Sequence, residues 1–299
     1  MTHRIGACVV FFNPSDAAVN NVRTYLRYVD TLIIVDNSPI SNEHLVTELV
    51  DPSGKLIYLW QGENVGIATA LNRGCEAALQ QSCTWVLTMD QDSSFREGDI
   101  EVLKQNMEEV QNIFDNVAMI CADHKVHEEA KLKSYAISGG QTTSGKGPFT
   151  EITSTMTSGN LLRLDAWQAA GPFLEKFFID HVDHEYCLRL RKKGFRLVQV
   201  NTVLLNHALG TFQLKSFLGK QLKISNHNPI RRYYMTRNGL YVVSKYFSLD
   251  RRFCGDILKN IFFFDLIKIS FFEQQKAAKI GAVVKGIYHF LINRYGKYK

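Results

Sequence analysis

The sequence predicts an α/β fold: a mostly parallel sheet flanked by helices, followed by a C-terminal helical extension. Three observations lead there. Residues 1–123 alternate short apolar runs with stretches whose apolar residues recur at helical spacing. Strict alternation of this kind implies βαβ units with helices on both faces of the sheet. From about residue 208 the chain becomes basic and aromatic to its end.

The elements follow in order. "IGACVVFF" reads as a strand, and "SDAAVNNVRTYLRYV" as a helix opened by Ser15 or Asp16. "TLIIVDN" is a second strand, with a polar helical stretch around "NEHLVTELV" behind it. "KLIYLWQ" is a third strand, and "VGIATALNRGCEAALQQ" an amphipathic helix. "TWVLTMDQD" is a fourth strand, "GDIEVLKQNMEEVQNIF" a helix and "VAMICAD" a fifth strand. From about 124 to 153 the chain is polar, with Gly and Ser clusters, and reads as loops and short strands. "SGNLLRLDAWQAAG", "FFIDHVDHEYCLRLRKKG" and a last strand, "FRLVQVNTVLLNH", complete this part.

The 299 residues suit one large domain, or one domain with an appendage, and 45% hydrophobic content suffices for a core. The six cysteines form no C-x-x-C pair, which reads as free buried thiols in a reducing compartment. The N-terminal apolar run lacks a cleavage site and reads as a strand. No run reaches the length of a spanning helix, so a cytoplasmic protein is expected. The net charge of +6 is unevenly spread. Residues 208–299 hold 17 Lys and Arg against 4 Asp and Glu, and residues 1–207 hold 18 against 25. The basic tail is either a solvated helical face or a surface for an anionic partner, including the inner face of a plasma membrane. A nucleic-acid-binding protein is a rival reading, but no zinc-finger, helix-turn-helix or RNA-recognition signature supports it.

In an open parallel sheet, ligands bind beyond the carboxyl ends of the strands. Asn13, Asp36-Asn37 and Asp90-Gln91-Asp92 sit at three such ends. Each alone serves equally as a cap or turn residue. Asp90 and Asp92 form a D-x-D pair of the kind that holds a ribose and a divalent cation through oxygen ligands. In "ENVGIATALNRG", Gly66 permits a close backbone approach, and the helix behind it offers free N–H groups to an anion. The other reading is a capped helix packed on the sheet.

The segments "VVFFNP", "IIVDNS", "NVGIATALNRG", "VLTMDQDS", "TSGNLLR", "FFIDHVDHEYCLRLRKKG" and "LLNHALG" occur in that order. Together they resemble an inverting glycosyltransferase of family 2, and "RRYYMTRN" resembles its rhamnosyltransferase branch. The resemblance covers about residues 5–240 and implies a GT-A fold, a Rossmann-like nucleotide-diphospho-sugar transferase architecture. It implies a catalytic domain at 1–210, with its nucleotide half at about 1–123 and its acceptor half at about 124–210. Residues 211–299 form the extension. A nucleotide-diphospho-sugar, dTDP-L-rhamnose by this branch, is the implied donor. A saccharide or lipid-linked glycan of a bacterial surface is the implied acceptor, Mg²⁺ or Mn²⁺ the cofactor, and a homodimer one possible assembly.

The same resemblance implies Phe12, Asn13, Asp36, Asn64, Gly66, Asn72, Asp90 and Gln91 as nucleotide-sugar contacts. Ser158, Gly159 and Asn160 line the donor-sugar and acceptor side. Apart from the resemblance, the guanidinium forks of Arg231, Arg232 and Arg237 suit a diphosphate or an anionic acceptor, and their other reading is surface charge beside aromatics. Asp92 is the implied metal ligand, joined by His207, whose other reading is structural. The catalytic carboxylate falls on "VDHEYC". The register of "CLRLRKKG" favours Asp183, with Asp180 and Glu185 as alternatives. Val182 stands where the family usually has an acid. A subunit that binds nucleotide-sugar without turnover is the rival that this departure suggests.

Overall fold

The computed structural model describes residues 3–49, 54–125, 147–207, 213–217 and 220–298. Three strands, β1 (Ile5–Phe11), β2 (Thr31–Asp36) and β3 (Leu56–Trp60), alternate with helices α1 (Asp16–Leu26) and α2 (Glu43–Val46). Helix α3 (Ile67–Gln80) leads to β4 (Trp85–Asp90). β1 pairs in parallel with both β2 and β4, and β2 with β3. β1 and β2 are buried along their whole length, which is why both are uninterrupted apolar runs. Ala7, Val9 and Phe11 face a layer built from α1 and α4 (Asp99–Ile113). Cys8 and Val10 face the opposite layer, which α3 helps to build. Helix α3 lies close enough to β1 that a Cβ at Gly74 would fall 2.0 Å from Cys8 Sγ. All six cysteines are buried and free.

Beyond β4 the sheet is mixed, but β1 to β4, β6 and β9 all run the same way, so the mostly parallel sheet expected from the alternation holds. The nine-stranded sheet runs β3-β2-β1-β4-β8-β6-β9-β5, with β7 also on β9. β6 (Val117–Lys125) does not touch β4. The four-residue β8 (Asn160–Arg163) enters between them, antiparallel to both, with Leu161 facing Leu87 and Ile120. β5 (Ser93–Phe95) and β7 (Phe149–Ile152) pair antiparallel with the long β9 (Arg196–His207). Most of the polar stretch at 124–153 lies outside the described residues. Helices α5 (Leu164–Ala170) and α6 (Val182–Lys192) connect β8 to β9.

The C-terminal part is not purely helical. It opens with a hairpin, β10 (Gln213–Phe217) and β11 (Lys220–Ile224). Four helices follow: α7 (Pro229–Tyr246), α8 (Arg251–Lys259), α9 (Asp265–Phe271) and α10 (Lys276–Leu291). A π-helical turn at Asn260–Phe264 joins α8 to α9. Asn228 caps α7 by accepting from Arg231 N at 2.8 Å, and Pro229 takes the first helical position. The extension shares its core with the sheet domain: Leu240, Val242, Phe253, Ile257 and Ile261 belong to one buried cluster with Tyr186, Leu188 and α3. Among the described residues, no helix is long and apolar enough to cross a membrane.

Candidate active site

The strand order reverses at β1, between β2 and β4, and in such sheets a ligand crevice opens there. Side chains stitch the strand ends of this crevice together. Gln91 accepts from Phe12 N at 2.8 Å and donates to Phe12 O at 3.2 Å, while Asn21 donates to Gln91 O. Asn13, in the left-handed region at φ 47°, donates its N–H to Ser38 Oγ at 2.7 Å. Ser158 Oγ, fully buried, accepts from Asp90 N at 3.0 Å. Gln91 and Ser158 therefore fix the backbone that presents the two acids. Asp90 lines the cleft, and Asp92 follows at an exposed position. His207 ends β9 with its backbone in register with Ser93, one residue beyond Asp92. Its side chain lies outside the described residues.

Asp36 is buried rather than open to the crevice. Its carboxylate accepts from Ser38 N, from Asn42 N and Nδ2, and from Tyr58 OH at 2.5 Å. Burial alone would raise its pKa, but the hydrogen bonds from Ser38, Tyr58 and Asn42 prevail and hold it below the ordinary carboxylate value. Asp36 organises the 37–42 loop; direct contact with a nucleotide would require breaking that network. The aromatic faces open at these strand ends are Phe12, 45% exposed, and Trp60, 49% exposed with Nε1 bonded to Ser38 O. Trp60 escaped the sequence reading, although a large aromatic ending an apolar strand is the signal for it.

Gly66 does permit a close backbone approach, but to protein. Its φ is +89°, and a Cβ there would lie 2.7 Å from both Phe178 Cδ2 and Phe178 O. Asn64 Oδ1 accepts from Gly66 N, and Ile67 N donates to Phe178 O at 2.8 Å. The N–H groups of Gly66 and Ile67, where α3 begins, are thus already satisfied. Asn72 is also corrected. It is buried and clamps the chain at 173–175, donating to Phe173 O and Glu175 and accepting from Phe173 N at 2.8 Å.

Ser158, Gly159 and Asn160 are buried too. Gly159 bridges strands through its backbone, donating to Thr88 O and accepting from Ala122 N. Asn160 Nδ2 bonds the carbonyls of Met156 and Thr157. The nearby residues that line the cleft are Met156 and Thr157.

The cleft has a volume of about 520 Å³. Ile67, Asp90, Met156, Thr157, the segment Ile179–His184, and Arg231, Met235, Ile257, Asn260, Ile261, Asp265 and Lys268 line it. The residues from 231 onward, apart from Arg231, were not legible as site residues. They come from α7, α8, the π-helical turn and α9, and π-turns occur often at functional sites.

The three candidate carboxylates differ sharply. Glu185 has 2% of its side chain exposed and accepts from Arg189 Nε at 3.1 Å, Arg189 Nη2 at 2.9 Å and Tyr246 OH at 2.6 Å. Asp180 accepts a forked pair from Arg231, at 2.5 and 3.3 Å. Asp183, in the first turn of α6, lines the cleft and accepts from its neighbour His184 N. Val182 turns into the core, where an acid would be costly. The chain entering α6 is held in an unusual shape, with Phe178, Asp180 and His181 all left-handed at φ 65°, 63° and 62°. Burial, then the charge of His184, pushes the His181 imidazole down to about 4.

Arg237 does not face a ligand. It is fully buried, donating to Tyr233 OH and to the carbonyls of Gly296, Lys176 and Phe177. Arg232 is likewise buried, paired with Asp265 and Glu273.

Asp90 at the end of β4 and Asp183 in the first turn of α6 thus line one cleft beside the reversal of the strand order. The profile of glycosyl transferase family 2 matches residues 7–162, and the chain belongs to that family. It is rhamnosyltransferase-like: it is 29% identical over 248 residues to dTDP-rhamnosyl transferase RfbF of Shigella flexneri, covering 82% of this chain and 81% of that protein. Solved structures share the GT-A fold. GalNAc-T7 with UDP, GalNAc and Mn²⁺ superposes with a TM-score of 0.58 at 12% identity, over 97% of this chain. This chain spans 56% of that one. S. aureus TarS 1–349 in complex with UDP-GlcNAc superposes with a TM-score of 0.61 at 10% identity, over 95% of this chain and 80% of that one.

Proposed function

We propose that this glycosyltransferase moves L-rhamnose from dTDP-L-rhamnose to a hydroxyl of a saccharide or lipid-linked acceptor, inverting the anomeric centre, in the assembly of a bacterial surface polysaccharide. The observation that carries the reaction type is the cleft: Asp183 and Asp90 both line it, while Asp180 and Glu185 are engaged by arginines. The donor is supported by the likeness to a dTDP-rhamnosyl transferase. The nucleotide lies across the ends of β1, β2 and β4, its base against the open faces of Phe12 and Trp60. Asn13 borders the same crevice.

Asp183 acts as general base. The acceptor oxygen forms its bond to the anomeric carbon as the bond to the diphosphate breaks, with the electron pair leaving on the phosphate oxygen. Asp183 takes the hydroxyl proton. No sugar-enzyme intermediate forms, so no nucleophilic side chain is needed.

A Mg²⁺ or Mn²⁺ ion fits the oxygen donors present. Asp90 and Asp92 offer two carboxylates beside the diphosphate position, and Mg²⁺ commonly takes one or two carboxylates plus substrate phosphates. When bound there, such an ion neutralises charge on the leaving diphosphate. His207 is kept as a further ligand by its backbone register with β5.

The extension supports a peripheral role at anionic lipid. Ile280, Val284, Tyr288 and Leu291 form one exposed apolar stripe on α10, within a segment of strongly positive charge. Co-sedimentation with phosphatidylglycerol vesicles, and its loss in Val284→Glu, tests this. Pairing of two copies through the stripe, read by light scattering, is the competing outcome.

The deciding experiment for the activity incubates the purified protein with dTDP-L-rhamnose, UDP-GlcNAc and other nucleotide-sugars, with and without Mn²⁺, and measures nucleotide release. Release from dTDP-L-rhamnose that disappears in Asp183→Asn supports the reading. Indifference to that substitution overturns it.

A further inference from the structure

The "RN" pair in the middle of α7 is buried where a helix of its length ordinarily places apolar side chains, and nothing in the reaction just described uses it. Arg237 and Asn238 are both fully buried. Arg237 Nε donates to Asn238 Oδ1 at 2.9 Å, which turns the Asn238 amide nitrogen the other way. That nitrogen meets three main-chain carbonyls of one short loop: Phe177 at 3.0 Å, Ile179 at 2.8 Å and Asp180 at 3.0 Å. Arg237 Nη2 adds bonds to Lys176 O and Phe177 O.

The loop so gripped is the left-handed one. Phe178, Asp180 and His181 all lie at positive φ, a conformation that non-glycine residues hold only when their surroundings impose it. The loop ends at His181, which caps α6, and Asp183 stands two residues further on. A loop that relaxed toward right-handed φ would re-aim the first turn of α6 and carry Asp183 off its line into the cleft. Proximity catalysis is sensitive to displacements of this size.

We propose that Asn238 is a positioning residue for the general base. Its amide, oriented by Arg237, holds the 177–181 loop in its left-handed shape and thereby aims Asp183. The proposal rests on Asp183 as base. It also makes the extension part of the catalytic unit, so that the boundary expected at residue 210 separates no independent module.

The test uses the full-length protein, dTDP-L-rhamnose as donor and water as acceptor, with dTDP release as the readout. Asn238→Ala should lower turnover at saturating donor about 30-fold or more, with KM for the donor and Kd for dTDP within about twofold of wild type. A glycine takes positive φ without cost. Adding Asp180→Gly to Asn238→Ala should therefore recover several-fold in turnover. Adding Asp180→Ala, which removes the same carboxylate, should recover nothing. A purely structural role predicts a lowered Tm with turnover per folded molecule unchanged, and no difference between Gly and Ala at position 180. Either result overturns the proposal. If Asn238→Ala does not accumulate, Asn238→Ser, which keeps one donor, carries the same comparison. Asp183→Asn is run alongside. Its full retention of turnover would refute the base, whereas its loss together with normal turnover in Asn238→Ala would refute only the positioning role.

Discussion

Glu185→Ala tests one of the two alternatives to Asp183 that the motif left open. In the folded protein Glu185 is buried, accepting two bonds from Arg189 and one from Tyr246. Removing one partner of a buried pair typically costs about 3–5 kcal/mol, because the other charge is stranded. Arg189 is not wholly stranded: its Nη1 still donates to the carbonyls of Ala170, Gly171 and Pro172, at 3.3, 3.1 and 2.8 Å. The lower end of the range, about 3 kcal/mol, is therefore expected. An unfolding entropy of about 2 cal/mol/K per residue, over 299 residues, gives about 0.6 kcal/mol per degree. The Tm should fall by about 5 °C. Differential scanning calorimetry on the folded protein, with turnover measured well below the transition, reads both quantities. A Tm within a degree of wild type, or a turnover loss matching that of Asp183→Asn, would refute the assignment of Glu185 to structure and Asp183 to chemistry.

Four further outcomes are expected. Asp183→Asn should lower turnover by about 10²–10⁴-fold with Tm nearly unchanged, as read by nucleotide release and calorimetry. Gly66→Ala forces a Cβ into Phe178 at positive φ, and overpacking plus left-handed strain should cost about 2–4 kcal/mol in urea unfolding. Asp92→Asn should raise the Mn²⁺ concentration for half-maximal turnover about tenfold or more, and EDTA should silence the wild type reversibly. Because folding lowers the His181 pKa from 6.5 to about 4, the folded state disfavours its protonation. The stability this group contributes is complete above pH 6.5 and lost as pH falls toward 4. His181→Gln should flatten that part of the acid limb in urea midpoints measured across the window.

Much of the architecture was legible because periodicity reports burial. The continuous apolar runs of β1, β2 and β4, and the helical spacing in α3 and α4, could belong only to a two-faced sheet with its layers. The antiparallel insertion of β8 was not legible, since "NLLR" is too short for period 2 to show and its pairing depends on distant partners. In the site, Asp90 lines the cleft as an acid at a strand end should, and Asp183, singled out by the register that the family resemblance implied, lines it too. Asn72, Arg237 and Asp36 were placed against a ligand because a buried polar side chain looks the same in sequence whether it bonds a substrate or a main-chain carbonyl. Arg237 did carry a signal. It sits among Tyr233, Tyr234 and Leu240 on a helix face whose neighbours are apolar, which argues for the interior.

The cleft draws on stretches far apart in the chain: Ile67 and Asp90 from the first hundred residues, Met156 and Thr157, the segment at 179–184, and residues between 231 and 268. The last group belongs to the helices that follow the sheet. Substitutions at Asn260, Ile261 or Lys268 can therefore recut the cleft while β1, β2 and β4 keep their shape.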